Sequence, residues 1–166
     1  MTTGTDERLV VRLAREEELA DVVRLRWLWT GEREGPDAAG AAEDYVPAAA
    51  EWARAHQDSH LAHVAVLDGA VVGMAWLALS VRVPKVGAIL RLSGDLQSCY
   101  VLPEHRRSGI GGVLVRAVLD TAADRGVEHV TVHTSPDSVA MYARNGFAHE
   151  ERLLYAEPPA TGGAVR

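Results

Sequence analysis

The sequence predicts a mixed α/β domain in which a strand-rich first half leads into alternating strands and helices. Three observations point that way. Two apolar runs, Leu61 to Leu67 and Ala70 to Arg82, are separated by Asp68-Gly69, the two-residue signature of a tight hairpin. Ile110, Val113, Leu114, Ala117, Val118 and Thr121 recur at the spacing of one helical face. Gly126 and Gly146 then stand where a left-handed cap would end a helix. The 166 residues suit one domain, residues 1–166, with one hydrophobic core. No internal repeat or domain boundary is visible.

Leu9 to Ala14 reads as a first strand. Glu16, Glu17 and Glu18 open a helix, with negative charge at the positive end of its dipole. Leu19, Val22, Val23 and Arg26 line one stripe of that helix, which is expected to end near Thr30-Gly31. Glu32 to Gly40 contains Gly and Pro and reads as a loop. A second helix is expected from Asp44 to His56, with Pro47 tolerated in its first turn. After the hairpin, Pro84 to Gly87 breaks the chain, and Ile89 to Val101 holds more strand, bent at Ser93-Gly94. A helix from about Gly109 to Arg125 is followed by a strand from Val127 to His133. Ser135-Pro136 is a cap and first-turn proline. The short helix they open runs to Arg144 or Asn145, with Phe147 packing back beyond Gly146. A last strand is expected near Arg152 to Ala156, and residues 158–166 read as a flexible tail.

The formal net charge of −6 argues against a nucleic-acid or anionic-membrane platform. Cys99 is the one cysteine, so no intrachain disulfide can form. A polar N-terminus and the lack of a long apolar run make the cytoplasm the expected address.

The chemistry concentrates in Arg106-Arg107-Ser108-Gly109-Ile110-Gly111-Gly112, between a strand and a helix. A pyrophosphate needs donors without bulk. Glycines let the backbone approach, and a helix N-terminus offers free N–H groups and a positive dipole end. Arg107 and Ser108 add side-chain donors, and the arginines suit a further phosphate. A Walker loop would need Lys then Ser or Thr after its second glycine, but Val113 and Leu114 follow here. The spacing after Gly111 also misses the dinucleotide-binding fingerprint.

The run Tyr100 to Gly112 resembles the acetyl-CoA signature of the GCN5-related N-acetyltransferase (GNAT) superfamily, Gln/Arg-x-x-Gly-x-Gly/Ala after a strand ending Val-x-Pro. Ala140 to Phe147 is similar to its second signature, A-x-x-Y-x-x-x-G-F, shifted by one residue at the alanine. The resemblance implies a mostly antiparallel sheet of six to seven strands flanked by about four helices. Two central strands splay, and the pantetheine arm of acetyl-CoA lies between them. It implies direct transfer of an acetyl group to a primary amine of a small molecule or peptide, without a covalent enzyme intermediate. On this resemblance, Val101, Leu102, Arg106, Arg107, Ser108, Gly109, Ile110, Gly111, Gly112 and Ser135 are the cofactor-binding set. Ser135 stands where the family often has Asn, and its hydroxyl is what this chain offers there to cap the helix or meet a cofactor amide. Tyr142 stands at the position of the acid that protonates the leaving thiolate. The alternative is a packing tyrosine on a short helix. The acyl carbonyl is expected to receive the Val101 N–H.

The general base is less legible. Asp95 is the candidate, with a turn-capping role as the alternative, and Gln97 could hold a water. Glu32, Glu34, Glu43 and Asp44 surround the first loop and either bind a cationic acceptor or form a solvated face. Cys99 on an alternating strand reads as a small core residue. His56, His60 and His63 lack Cys or carboxylate partners at ligand spacing, so no metal is expected. His133, at the carboxyl end of its strand, is an outside candidate for the acceptor pocket. Of the tryptophans, Trp27 and Trp29 cannot share one helix face, so one of them is exposed or lines the acceptor cleft. A non-catalytic acyl-CoA sensor on the same scaffold is the competing function, and a homodimer is common for such a fold.

Overall fold

The computed structural model describes residues 8–159. The elements run β1 (Leu9–Leu13), α1 (Leu19–Glu34), α2 (Pro36–Ala39), α3 (Ala42–Ala55), β2 (His60–Leu67), β3 (Ala70–Val81), β4 (Leu92–Val101), α4 (Ile110–Asp124), β5 (Val127–Val132) and α5 (Val139–Arg144), with short 3-10 turns between some of them. The strands lie side by side in chain order. The first three junctions are antiparallel, and the last, β4 with β5, is parallel. The β2–β3 turn has Asp68 at φ 48 and Gly69 at φ 85, both left-handed as a type I′ turn requires.

Alternation divides the sheet between two cores. Leu61, Ala65, Ala75, Leu77 and Leu96 pack with Leu114, Val115 and Val118 of α4. Ala62, Val64, Met74, Trp76 and Tyr100 pack with Val22, Val23 and Leu25 of α1 and Ala50 and Ala53 of α3. The sheet is therefore covered on both faces, and the two helical layers can supply opposite sides of one cleft.

Several expectations need correction. The sheet has five strands among the described residues, not six to seven. Residues 152–156 form no strand. Leu153 N–H donates to the Glu150 carbonyl at 3.1 Å, and Arg152 pairs with Glu150, so a local turn interrupts the extended run. The apolar side chains of Leu153, Leu154 and Tyr155 are left exposed. The first helix passes Gly31 and reaches Glu34, and Pro36 opens α2 inside the expected loop. The irregularity facing β3 falls at Ser98, with φ 61, while Ser93-Gly94 shifts only the register with β5. Of the tail, residues 160–166 lie outside the described residues.

Candidate active site

β4 and β5 pair only as far as Leu96 with Val132. Beyond that, β5 ends and β4 continues alone to Val101. The two strands part, leaving one edge of Gln97 to Val101 without a strand neighbour among the described residues. Leu102 N–H donates to Val72 O at 2.9 Å. Strand alternation therefore aims the N–H groups of Val101 and Cys99 away from β3, into the gap. The Ser98 bulge resets the side-chain alternation. Leu96 faces α4, Gln97 faces α1 and α3, and after the bulge Cys99 again faces α4 while Tyr100 faces α1.

The glycine loop follows at the mouth of this gap. Arg107 (φ 60) and Gly109 (φ 84) are both left-handed. The first intrahelical bond of α4 runs from Val113 N–H to Gly109 O, so the N–H groups of Ile110, Gly111 and Gly112 have no partner in the helix. A Cβ on Gly111 would meet nothing within 4 Å, whereas one on Gly112 would lie 2.9 Å from the Asn145 amide. The two glycines therefore do different work. Gly111 keeps the cradle open to solvent, and Gly112 lets α4 and α5 approach.

Other members of the predicted set are engaged within the protein. Arg106 donates Nε–H to Val101 O at 2.8 Å and both terminal nitrogens to Glu32, at 2.7 and 2.8 Å. Three of the five N–H groups of a guanidinium are thus used. Tyr100 donates its hydroxyl to the same Glu32 at 3.0 Å. Arg106, first, and Tyr100 hold the Glu32 carboxyl below its ordinary pKa, and burial offsets part of this. The Ser108 hydroxyl donates to His105 O at 2.6 Å, leaving its backbone N–H and an acceptor oxygen. Ser135 occupies the cap position, but its hydroxyl turns to Ser138 Oγ at 3.3 Å and makes no side-chain cap bond. Leu102 follows the last residue of β4 and precedes the Pro103 turn.

Tyr142 is buried on α5, with its ring edge-on to Phe147 at 5.4 Å. Phe147 N–H returns to Tyr142 O at 3.1 Å past the left-handed Gly146. Burial, then the nearby Cys99 thiol, push the Tyr142 phenol pKa upward. Burial also pushes the Cys99 thiol up to about 12, so Cys99 is not a thiolate nucleophile. Asp95 sits opposite Thr131, one pair before the strands part. Its carboxylate accepts from Thr131 Oγ1 at 3.2 Å and Gln97 Nε2 at 3.1 Å. His133 packs edge-on against Tyr155 at 5.5 Å. A cavity of about 700 Å3 follows the outer edge of β5, lined by His129, Thr131, Tyr142 and Phe147 among others, and contains no residue of the glycine loop. No group of three or more potential metal ligands occurs among the described residues. No described helix is long and apolar enough to cross a membrane.

The sequence named Glu32 in the acidic cluster and Arg26 on the first helical stripe, but three pairings were not legible in it. Glu32 reaches Arg106 across 74 positions, Arg26 enters a pocket with Gln97 and Ser98, and Asn145 bonds Arg116 and Met141 O to join α5 to α4. Apart from the Asn145–Met141 bond, which spans four residues, none of these partners follows from a local pattern.

A family model described as Acetyltransferase (GNAT) family matches residues 14–147. The chain belongs to this family. The GNAT match spans both cores and the whole glycine loop. The uncharacterized N-acetyltransferase YjcF of Bacillus subtilis (strain 168) is 32% identical over 54 residues, a stretch covering 32% of this chain and 39% of YjcF. An acetyltransferase from Trypanosoma brucei has the same fold, with TM-score 0.68, 22% identity, and coverage of 91% of this chain and 100% of that one. So does a predicted acetyltransferase with acetyl-CoA from Clostridium acetobutylicum, with TM-score 0.70, 16% identity and coverage of 90% and 96%. An aminoglycoside N-acetyltransferase, AAC(6')-Iy, in complex with CoA, aligns with TM-score 0.68, 20% identity and coverage of 95% and 99%.

Proposed function

We propose that this GNAT domain is an N-acetyltransferase using acetyl-CoA, with a primary amine of a small molecule or peptide as acceptor. The observation that carries the reading is the parting of β4 and β5 beside an α4 N-terminus whose Gly111 is open. The residues present fit the cofactor. Free N–H groups of Ile110, Gly111 and Gly112 would hold the pyrophosphate at the positive end of α4. Arg107 would add charge, and Arg106 would act mainly by fixing the loop to Val101 and Glu32. Ser108 would contribute its backbone, and Ser135 would border the gap from the β5 side. The Val101 and Leu102 backbone would line the pantetheine arm.

Bound there, acetyl-CoA supplies an activated acyl carbon and a thiolate leaving group. The Val101 N–H would polarise the acyl carbonyl oxygen. Tyr142, neutral because its pKa is raised, would hold the proton for the leaving sulfur. Asp95, at the fork of the sheet, would accept the amine proton directly or through a water held by Gln97.

The test is acetyl-CoA binding followed by thiol release with an amine panel. Saturation at about 100 times Kd should stabilise the fold by about 2.7 kcal/mol. No thermal shift and no thiol release would remove the proposal. Binding without turnover on any amine would favour an acyl-CoA sensor.

A further inference from the structure

A second cavity, of about 150 Å3, lies on the α1–α3 side of the β4 bulge. That volume is well below the ~300–1,000 Å3 of drug-sized ligand sites, so the cavity suits a compact guest. Tyr45, Trp52 and Trp76 form its apolar wall, and Arg26, His60, Gln97 and Ser98 give it polar character. Burial, then the nearby His56, lower the His60 pKa and favour its neutral form. No lining residue is Asp or Glu. Glu32, the first of the acidic residues that follow Thr30-Gly31, is held by Arg106 and Tyr100. Glu34, Glu43 and Asp44 are exposed. The chemistry is that of an aromatic pocket with one cation.

Arg26 is unusual within it. Its guanidinium stacks 4.0 Å over Trp29 and reaches Thr30 Oγ1 at 3.5 Å. Among the described residues no carboxylate lies within 4.0 Å of it, and Glu34 acts on it only from longer range. Burial opposes its charge. A partly buried cation without an anionic partner is costly, and an anion from outside relieves that cost.

We propose that this cavity is the acceptor site, and that the acceptor is a compact apolar α-amino acid, aromatic in preference. Its carboxylate pairs with Arg26, its side chain lies against Trp52 and Trp76, and its α-amine stands beside the Ser98 bulge. The assignment rests on the N-acetyltransferase reading and narrows its acceptor class. The α-ammonium first loses a proton, and its nitrogen attacks the acetyl carbonyl carbon of acetyl-CoA. A C–N bond forms and the C–S bond breaks. The nitrogen sheds its second proton and the departing thiolate takes up one. The products are the N-acetyl amino acid and free CoA thiol, with one proton released overall. A polyamine or aminoglycoside would place added positive charge beside Arg26, with no carboxylate in the lining to receive it.

The test uses the full chain. Thiol release is measured with L-phenylalanine, L-leucine, phenethylamine, spermidine and kanamycin, and L-phenylalanine binding is followed by calorimetry in the presence of CoA. L-Phenylalanine should exceed phenethylamine in kcat/KM by about 10- to 100-fold, the loss expected for removing a charge-assisted contact. Arg26→Gln should bring that ratio toward one and abolish the heat of L-phenylalanine binding. Trp52→Ala should raise KM for L-phenylalanine more than for L-leucine. Equal use of phenethylamine, or preference for spermidine or kanamycin, would overturn the assignment while leaving acetyl transfer intact. Absence of any L-phenylalanine heat would overturn it as well. Failure of acetyl-CoA to bind would instead remove the broader function. The wild-type substrate comparison keeps the test valid should a variant fail to fold.

Discussion

Tyr142 is where residue-scale chemistry can be tested most directly. Its phenol is kept neutral by burial, and among the described residues no hydrogen bond engages its hydroxyl. Tyr142→Phe preserves the ring against Phe147 and removes the proton. We expect kcat to fall by about 10²-fold, within the range of general acid catalysis, while the acetyl-CoA-induced thermal shift stays the same. An unchanged kcat would remove Tyr142 from proton transfer. The raised pKa also predicts no alkaline loss of activity from this group near its ordinary value of 10.0. The placement of Tyr142 on a short helix against Phe147 was legible because Gly146 and Phe147 form a local pattern with it. Arg26 was not legible, because its significance lies in the carboxylate that is not beside it. Sequence spacing cannot show a missing partner three dimensions away. The Glu32–Arg106 pair had the same difficulty, since a bond between residues 32 and 106 leaves no local periodicity. It also altered the meaning of the acidic cluster, whose first member is engaged by the glycine loop.

Elements set the next scale, and α4 is expected to separate binding from stability at two adjacent residues, Gly111 and Gly112. Gly111 stands in helical backbone with open space where a side chain would be. Gly111→Ala should leave the protein without acetyl-CoA as stable as before, or more stable by about 0.5–1 kcal/mol from helix propensity. Its affinity for acetyl-CoA should drop at least 10-fold, because the new methyl group would enter the cradle. Gly112→Ala should behave in the opposite sense. Its Cβ would push the Asn145 amide, which is held by Met141 O and Arg116, and disturb the α4–α5 contact. A loss of about 1–3 kcal/mol is expected from such overpacking. Paired melting and calorimetric titrations of the two variants check both statements, and equal behaviour would reject the division of roles. The helical period and caps made α4 readable to within a residue or two at each end. The failures came where local chemistry was overridden. Gly31 did not stop α1, because Gly35 N–H still closes onto Gly31 O and the α1–α2 packing continues past it. The apolar run around Leu153 did not become a strand, because its turn and the Glu150–Arg152 pair satisfy it locally.

At the scale of the molecule, one buried histidine couples both halves of the fold to pH. His63 is 1% exposed on β2, and its Nε2 meets Thr121 Oγ1 of α4 at 2.8 Å. It therefore ties the hairpin half to the helix that carries the glycine loop. Burial lowers its pKa from 6.5 to about 4, with backbone groups of Leu61 and Ala75 offsetting part of the effect. Below pH 6.5 the unfolded chain binds a proton that the folded protein refuses until about pH 4. The folded state is then the poorer proton binder, so stability declines as the pH falls through that window and levels off below it. The difference corresponds to about 3 kcal/mol. Urea unfolding of the wild-type protein and His63→Gln from pH 7.5 to 4 measures it. The variant, with no titrating group at this position, should lose less stability by about that amount. Parallel curves would show that His63 is not the source of the acid sensitivity. Such a loss would act on the core between β2 and α4 and so reach the cradle at Gly111 without any change in the site's own charges.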